Sequence, residues 1–202
     1  MIEPGRARDV LPGTRPVPRW ALALPLIVVI AAAATAAALI TVGRSPRTAS
    51  VSGGPARVGG IAPAFSSWDL SGKKVSLADF KGHPVLITFW ATWCTACQAE
   101  LPELQRIRDR YQSTGLSILA VNYRETNSDR MSQYLAGLHV DLDALIDPDG
   151  TIARAYGVDI GLPINVLLDR QGTVHQIIIG VVSSAVLETD VGQVAGPAPT
   201  SP

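Results

Sequence analysis

The chain has 202 residues, of which 47% are hydrophobic, and this is enough to bury the core of one domain with additional segments. Its 17 basic and 17 acidic side chains give a formal net charge of zero, which argues against a nucleic-acid partner and against a polybasic membrane surface. The only cysteines are the 2 of a single Cys-x-x-Cys pair, so the fold does not rest on a disulfide framework and the thiols are present for their reactivity.

The N-terminal part of the chain predicts a membrane anchor. Residues 1–19, rich in arginine, proline and glycine, predict a disordered cytoplasmic tail. Residues 20–43 carry no charge, and as a helix they would exceed the ~30 Å hydrocarbon core of a bilayer. The run is also longer than the ~7–15 apolar residues of a cleaved signal peptide, which favours an uncleaved signal-anchor, although its small residues offer a cleavage site. Residues 44–59, rich in serine, glycine and proline, predict a flexible linker.

The folded domain is predicted for residues 60–194, and a disordered tail for 195–202. Its first element is a β-hairpin that includes residues 64–65 and 68–75 and turns at Ser71-Gly72. The apolar, β-branched and aromatic run at 85–90 then predicts a fully buried strand.

Cys94 and Cys97 follow this strand at once. Apolar residues then repeat every third or fourth position, as on one face of a helix, so the cysteines lie where a central strand passes into a helix. The first N–H groups of a helix are unpartnered and its dipole is positive there, which lowers the pKa of a Cys94 thiol below the free value of ~8.5. Cys97 lies one turn further on, close enough to close a small disulfide. Cys94 is therefore the expected attacking sulfur and Cys97 the resolving one.

The remaining elements alternate between strands and helices. Pro102 is expected to bend the first helix, Glu100 to be a solvated helix charge and Asp79 a turn residue. The later predicted elements are a strand at 116–122, a helix from 127 or 128 to about 138, a strand around 142–146, a short helix at 151–156, an antiparallel pair at 164–169 and 174–179, and a helix from 183 to about 194. This order predicts an α/β fold with a mixed central sheet flanked by helices.

The sequence FWATWCTAC at 89–97, followed by Glu100, Pro102 and Leu104, resembles the membrane-anchored thioredoxin-like family of TlpA/ResA type, in the redoxin/AhpC-TSA superfamily. The resemblance implies a thioredoxin-like fold to which the N-terminal hairpin is an addition, and an extracytoplasmic thiol-disulfide oxidoreductase with no cofactor besides its redox-active disulfide. It also implies protein substrates with cysteine pairs, an upstream membrane thiol electron donor, and a candidate role in cytochrome c maturation.

The chain departs from this family at two places. Ala96 stands where many members have proline, and Ile164-Asn165 stand where they tend to have threonines. The residues between the cysteines help to set the reduction potential, so the sequence leaves open whether the protein acts as a reductant or as an oxidant.

Arginines flank residues 20–43 on both sides, which makes the positive-inside asymmetry small. The short N-terminal tail and the redox chemistry favour a domain on the extracytoplasmic side of the cell membrane.

Five further residues are predicted to serve the cysteine pair. The resemblance implies a cis peptide bond before Pro163, next to Cys94, so that the free backbone of Leu162 can pair with an extended substrate segment. Glu125 follows the carboxyl end of the strand predicted at 116–122, and open α/β sheets place their active sites at the carboxyl ends of their strands. Burial is expected to raise the pKa of Glu125, which would then carry protons to and from Cys97. Trp90 and Trp93 are expected to pack around the disulfide, and Trp93, next to Cys94, is also expected to offer the substrate an apolar surface.

Three other uses of the cysteines are weighed against this one. A thiol peroxidase of the peroxiredoxin type needs a threonine or serine three residues before its cysteine and a proline seven before, where this chain has Ala91 and Ile87. A copper-binding assembly module spaces its cysteines by three residues and adds a histidine, whereas the spacing here is two, although His175 is present. A zinc site would need a second Cys or His pair, and the sequence offers none, so no metal is predicted.

Overall fold

The fold is built around the strand that the sequence predicts to be fully buried. A computed structural model describes residues 48–159 and 161–198. The predicted cytoplasmic tail and membrane-spanning helix, residues 1–43, lie outside the described residues. Within 48–159 and 161–198, no helix has the length and apolar character needed to cross a bilayer.

The strands and helices follow the predicted order. The strands are β1 (Ser50–Ser52), β2 (Ala64–Trp68), β3 (Lys74–Ser76), β4 (Val85–Trp90), β5 (Ser117–Tyr123), β6 (Asp143–Asp147), β7 (Ile164–Leu168) and β8 (Val174–Ile179). The α-helices are α1 (Thr95–Tyr111), α2 (Ser128–Gly137), α3 (Thr151–Ala155) and α4 (Ser184–Ala195), and short 3-10 helices lie at Leu77–Phe80 and Gln112–Thr114.

The central sheet is mixed, as predicted, with the strand order β6-β5-β4-β7-β8. β4, β5 and β6 run parallel, while β7 is antiparallel to β4 and β8 is antiparallel to β7. All six residues of β4 are buried, because hydrophobic clusters cover both faces of the sheet. Alternate residues of β4 point to opposite faces: Leu86 and Trp90 join one cluster, and Ile87 and Phe89 join the other. The parallel strands all end at the edge where α1 begins.

The segment before β4 forms a second, antiparallel sheet with the order β1-β2-β3. The residues predicted as a hairpin fold into β2 and β3, which pair antiparallel. β1 lies inside the range predicted as a flexible linker, so that prediction does not hold for Ser50–Ser52. The reason is tertiary: β1 pairs with β2, and Val51 packs against the apolar cluster under the sheet.

Helix α1 includes Pro102 and continues to Tyr111, and the bend expected at Pro102 stays a prediction. A 3-10 turn follows, and Gly115 then ends the segment with φ 83°, a left-handed conformation that favours glycine. Asn127 caps α2 through its side chain, as predicted. Asp79, expected to be a turn residue, lies inside the 3-10 helix Leu77–Phe80, where its carboxylate accepts the N–H of Ser76 in a capping box.

Candidate active site

Cys94 and Cys97 form a disulfide at the start of α1. Cys94 is the N-cap residue of this helix, and its Sγ accepts the backbone N–H of Cys97 at 3.1 Å. Sulfur thus stands where a serine or aspartate oxygen usually caps a helix. When the disulfide opens, negative charge on Cys94 meets both this N–H and the positive end of the helix dipole. The exposed fractions are 6% for Cys94 and 1% for Cys97, so Cys94 is the sulfur nearer to solvent.

The two tryptophans beside the cysteines have different positions. Trp90 is fully buried in the same cluster as both cysteines, donates from Nε1 to the carbonyl of Ala120 at 3.1 Å, and stacks on Tyr134. Trp93 is 62% exposed. The prediction that both rings pack around the disulfide is therefore wrong for Trp93, because this residue lies in the turn between β4 and α1 and none of the described elements covers it. Its exposed ring leaves an apolar surface next to Cys94.

Pro163 lies at the same edge of the sheet, and the peptide bond between Leu162 and Pro163 is cis, as the family resemblance implies. In the β4–β7 pairing Ile164 is opposite Phe89, so Pro163 lies where β4 ends and the turn to Cys94 begins. The carbonyl of Pro163 accepts the N–H of Gly180. Within the described part of the chain, no hydrogen bond uses the backbone N–H or carbonyl of Leu162.

Glu125 is held by hydrogen bonds to the turn that carries Cys94. Its carboxylate accepts the Thr92 N–H at 2.7 Å, the Thr92 hydroxyl at 2.6 Å and the Asn122 amide at 2.8 Å. Burial raises the pKa of Glu125, but these hydrogen bonds and the nearby charge of Arg130 outweigh burial, and the net pKa is lowered. The expectation of a raised pKa is therefore wrong. Arg124 has φ 59°, a left-handed conformation, and it directly precedes Glu125, whose side chain reaches back to Thr92.

Glu100 is a buried carboxyl that the sequence interpretation missed. It was expected to be a solvated helix charge, but it is only 3% exposed. Its Oε1 accepts the Asn165 amide at 2.9 Å and the Val182 N–H at 3.4 Å. Burial raises the pKa of Glu100, and these two hydrogen bonds oppose it only in part. Glu100 follows Cys97 by three positions, so the helical period that placed the apolar face of α1 places this carboxyl on the same face.

Among the described residues, no three histidine, cysteine, aspartate or glutamate side chains come together as a metal site would require. His175 contacts Gln193 of α4 through Nε2, at 3.0 Å.

A strand-to-helix turn with a small disulfide, next to a cis-proline in a thioredoxin-like sheet, is suited to thiol-disulfide exchange. Comparisons with known proteins agree with this class. The model of the AhpC/TSA family matches residues 58–177. Thiol-disulfide oxidoreductase ResA of Bacillus thuringiensis subsp. konkukian is 37% identical over 123 residues, which cover 61% of this chain and 70% of that protein. ResA of Geobacillus thermodenitrificans is 36% identical over 123 residues, with the same coverage.

Solved structures give the same result. The crystal structure of a putative thiol:disulfide interchange protein DsbE from Chlorobium tepidum superposes with a TM-score of 0.65 at 29% identity, covering 70% of this chain and 99% of that one. The chain therefore belongs to the AhpC/TSA family, and it is a thiol-disulfide oxidoreductase of the ResA and DsbE type.

Proposed function

We propose that this protein is a membrane-tethered, extracytoplasmic oxidoreductase that exchanges disulfides with exported proteins through Cys94 and Cys97. One observation carries the proposal: the Sγ of Cys94 caps α1 and accepts the N–H of Cys97. A reduced Cys94 in this position is stabilised as the thiolate, which is the reactive form. No cofactor is needed, because the two sulfurs carry both electrons.

The reaction runs in two exchange steps. The Cys94 thiolate attacks a substrate disulfide, a mixed disulfide forms, and the first substrate sulfur leaves as a thiolate. Cys97 then loses its proton and attacks the Cys94 sulfur, which releases the second substrate sulfur and leaves the Cys94–Cys97 disulfide. The substrate has gained two electrons and, from the thiols and solvent, two protons. An upstream membrane dithiol then returns the pair to the reduced form and is itself oxidised.

The resolving step needs a group that takes the proton of Cys97. Glu100 is the buried carboxyl one helical turn away on the same face of α1, and its raised pKa suits proton exchange with a thiol. Glu125, the carboxylate predicted for this task, accepts three hydrogen bonds and has a lowered pKa, which favours a role in holding the Cys94 turn. Proton transfer by Glu125 stays a prediction.

The substrate segment is proposed to lie between Trp93 and Leu162. The exposed ring of Trp93 provides apolar contact beside Cys94. The backbone of Leu162 is unpaired within the described residues, and an extended segment with a cysteine can pair with it as an added strand, next to Pro163. Backbone pairing accepts many sequences, which suits an enzyme whose substrates share a cysteine pair rather than a sequence.

Tethering is proposed to use residues 20–43, whose uncharged length suits a single bilayer crossing. The domain then lies on the extracytoplasmic side of the cell membrane, where exported proteins receive disulfides that a reductase must open. Apocytochrome c, whose paired cysteines must be reduced before heme attachment, is the candidate substrate that the family resemblance implies.

The test is to trap the mixed disulfide in the full-length, membrane-bound chain. With Cys97→Ser, the second step is blocked and substrates should remain bound to Cys94. The matched control is Cys94→Ser, which removes the attacking sulfur. Recovery of exported proteins with paired cysteines from the first variant alone supports the proposal. Equal trapping by both variants would refute the assignment of the two sulfurs, and trapping by neither would refute the exchange function.

A further inference from the structure

A polar cluster lies buried between α1 and the central sheet, under the cysteine pair. It consists of Glu100 of α1, Thr88 of β4 and Asn165 of β7, each with an exposed fraction of 3% or less. Thr88 and Asn165 are opposite each other in the β4–β7 pairing, so their side chains point to the same face. The Asn165 amide reaches Glu100 across 65 positions of sequence, and its Nδ2 donates to Oε1 at 2.9 Å.

The other half of the Asn165 amide has no partner. Within the described residues its Oδ1 is buried and accepts no hydrogen bond, and the same holds for Oγ1 of Thr88. An unpartnered buried acceptor costs about 1–3 kcal/mol, so its presence calls for a physical reason. An ionised Glu100 does not explain the unpartnered Oδ1 of Asn165, because a carboxylate has no proton to donate to it.

A protonated Glu100 explains why Asn165 keeps an unpartnered buried acceptor. A neutral carboxyl has one O–H donor and one carbonyl acceptor, and a primary amide has the complementary pair on one terminal carbon. Asn165 already donates to Oε1, and a proton on Oε2 is the complementary donor for the unpartnered Oδ1 of the same amide. When Glu100 loses that proton, Nδ2 and the Val182 N–H still donate to the carboxylate. Asn165 therefore offers a hydrogen bond to each protonation state of Glu100.

We propose that Asn165 is a positioning residue that keeps the carboxyl of Glu100 able to take up and return the proton of the Cys97 thiol. The proposal rests on the function proposed above. When an upstream dithiol reduces the disulfide, two electrons enter the pair and the proton on Glu100 passes to the Cys97 sulfur, which leaves a carboxylate. When Cys97 later attacks the mixed disulfide, its proton returns to Glu100, and the electrons leave with the substrate thiols.

Other ionisable groups near Glu100 do not explain its proton affinity. Its pKa is set by burial and by the hydrogen bonds from Asn165 and Val182, with no charged neighbour among the causes. Besides the cysteine pair, the ionisable residues on the elements packed around Glu100 lie on three elements. They are Glu103, Arg106, Arg108, Asp109, Arg110 and Tyr111 of α1, His175 of β8, and Glu188 and Asp190 of α4. Several of these have partners elsewhere: Glu103 contacts Arg106 and Ser184, and Glu188 pairs with Arg110.

The test uses three variants of the full chain. Asn165→Leu removes the amide that lowers the pKa of Glu100, so Glu100 should stay protonated to higher pH and accept the Cys97 proton less readily. The acid side of the exchange rate profile should move upward by roughly one pH unit, which lowers the rate about tenfold at a fixed pH on that side. Asn165→Asp, nearly identical in shape, places a second carboxyl against Glu100 and should shift the profile in the same direction. Thr88→Val is the matched control, because Thr88 is equally buried but makes no hydrogen bond to Glu100, and it should leave the profile unchanged.

A second readout does not depend on exchange. The Glu100 carboxyl is titrated in the disulfide form by infrared or carbon-13 spectroscopy, with Glu100→Gln to assign the signal. An upward shift of this titration in both Asn165 variants, but not in Thr88→Val, supports the proposal. Superimposable titrations in the wild type and both Asn165 variants would overturn it, as would an equal shift in Thr88→Val. Absence of exchange by the wild type would refute the proposed function instead, while this titration would still decide the role of Asn165.

Discussion

Replacement of Glu125 separates an anchoring role from proton transfer. In Glu125→Ala three donors lose their acceptor: the Thr92 N–H, the Thr92 hydroxyl and the Asn122 amide. Thr92 is partly exposed and can turn to water, whereas Asn122 is fully buried and its Oδ1 already has no partner. A buried donor left without a partner costs about 1–3 kcal/mol. The free energy of unfolding should therefore fall by about 2 kcal/mol, or roughly 4–8 °C in melting temperature.

Glu125→Gln should be mild. The glutamine oxygen can accept from Asn122 and from the Thr92 N–H, and the Thr92 hydroxyl can reverse to accept from the glutamine amide. Only the charge is lost, at a cost below about 1 kcal/mol. If Glu125 is an anchor, Glu125→Gln keeps most of the exchange rate while Glu125→Ala loses it. If Glu125 transfers protons, the two variants lose the rate alike.

The assay is thermal unfolding of the disulfide form, with the exchange rate measured on the same samples. The lowered pKa of Glu125 means that its stabilisation is present above the unfolded pKa of ~4.3 and is lost as pH falls through the lower folded value. The stability difference between wild type and Glu125→Gln should shrink over that acid range. Equal stability of Glu125→Ala and wild type at pH 7 would refute the reasoning, because it would mean that the network does not stabilise the turn.

Two further predictions concern other parts of the fold. Trp93→Ala should raise the KM for a protein substrate roughly tenfold, since an aromatic contact is worth ~1–2 kcal/mol, and should change the melting temperature little, since the ring is 62% exposed. The control is Val58→Ala, because Val58 is also an exposed apolar residue but lies next to the start of β8. An equal effect of both substitutions on KM would contradict a docking role for Trp93. Asp147→Ala should cost about 2 kcal/mol in urea unfolding, because this buried carboxylate accepts the N–H groups of Ile152 and Ala153 at the start of α3. Asp149→Ala, which removes one exposed hydrogen bond to Thr151, should cost under ~1 kcal/mol, and equal losses would show that burial of Asp147 adds nothing.

The sequence by itself determined the elements and the reactive pair. A run of apolar residues marks β4, the turn and cap residues bound the later elements, and a cysteine pair immediately after a buried strand lies at the start of a helix. These are local patterns, because hydrophobic period and capping depend on residues a few positions apart. The cis bond before Pro163 was expected from the family resemblance and is present.

Only the tertiary structure decided how the carboxyl groups behave. Glu100 follows the cysteines closely in sequence, and Glu125 follows the end of strand β5. Burial raises the pKa of Glu100, whereas hydrogen bonds lower the pKa of Glu125. Thr92, which helps to lower the pKa of Glu125, lies 33 positions away along the chain. Asn165, whose hydrogen bond limits the rise in the pKa of Glu100, lies 65 positions away. The exposure of Trp93 and the pairing of β1 were likewise set by distant segments. Proton affinity follows from burial and hydrogen-bond partners, and these exist only when the chain is folded.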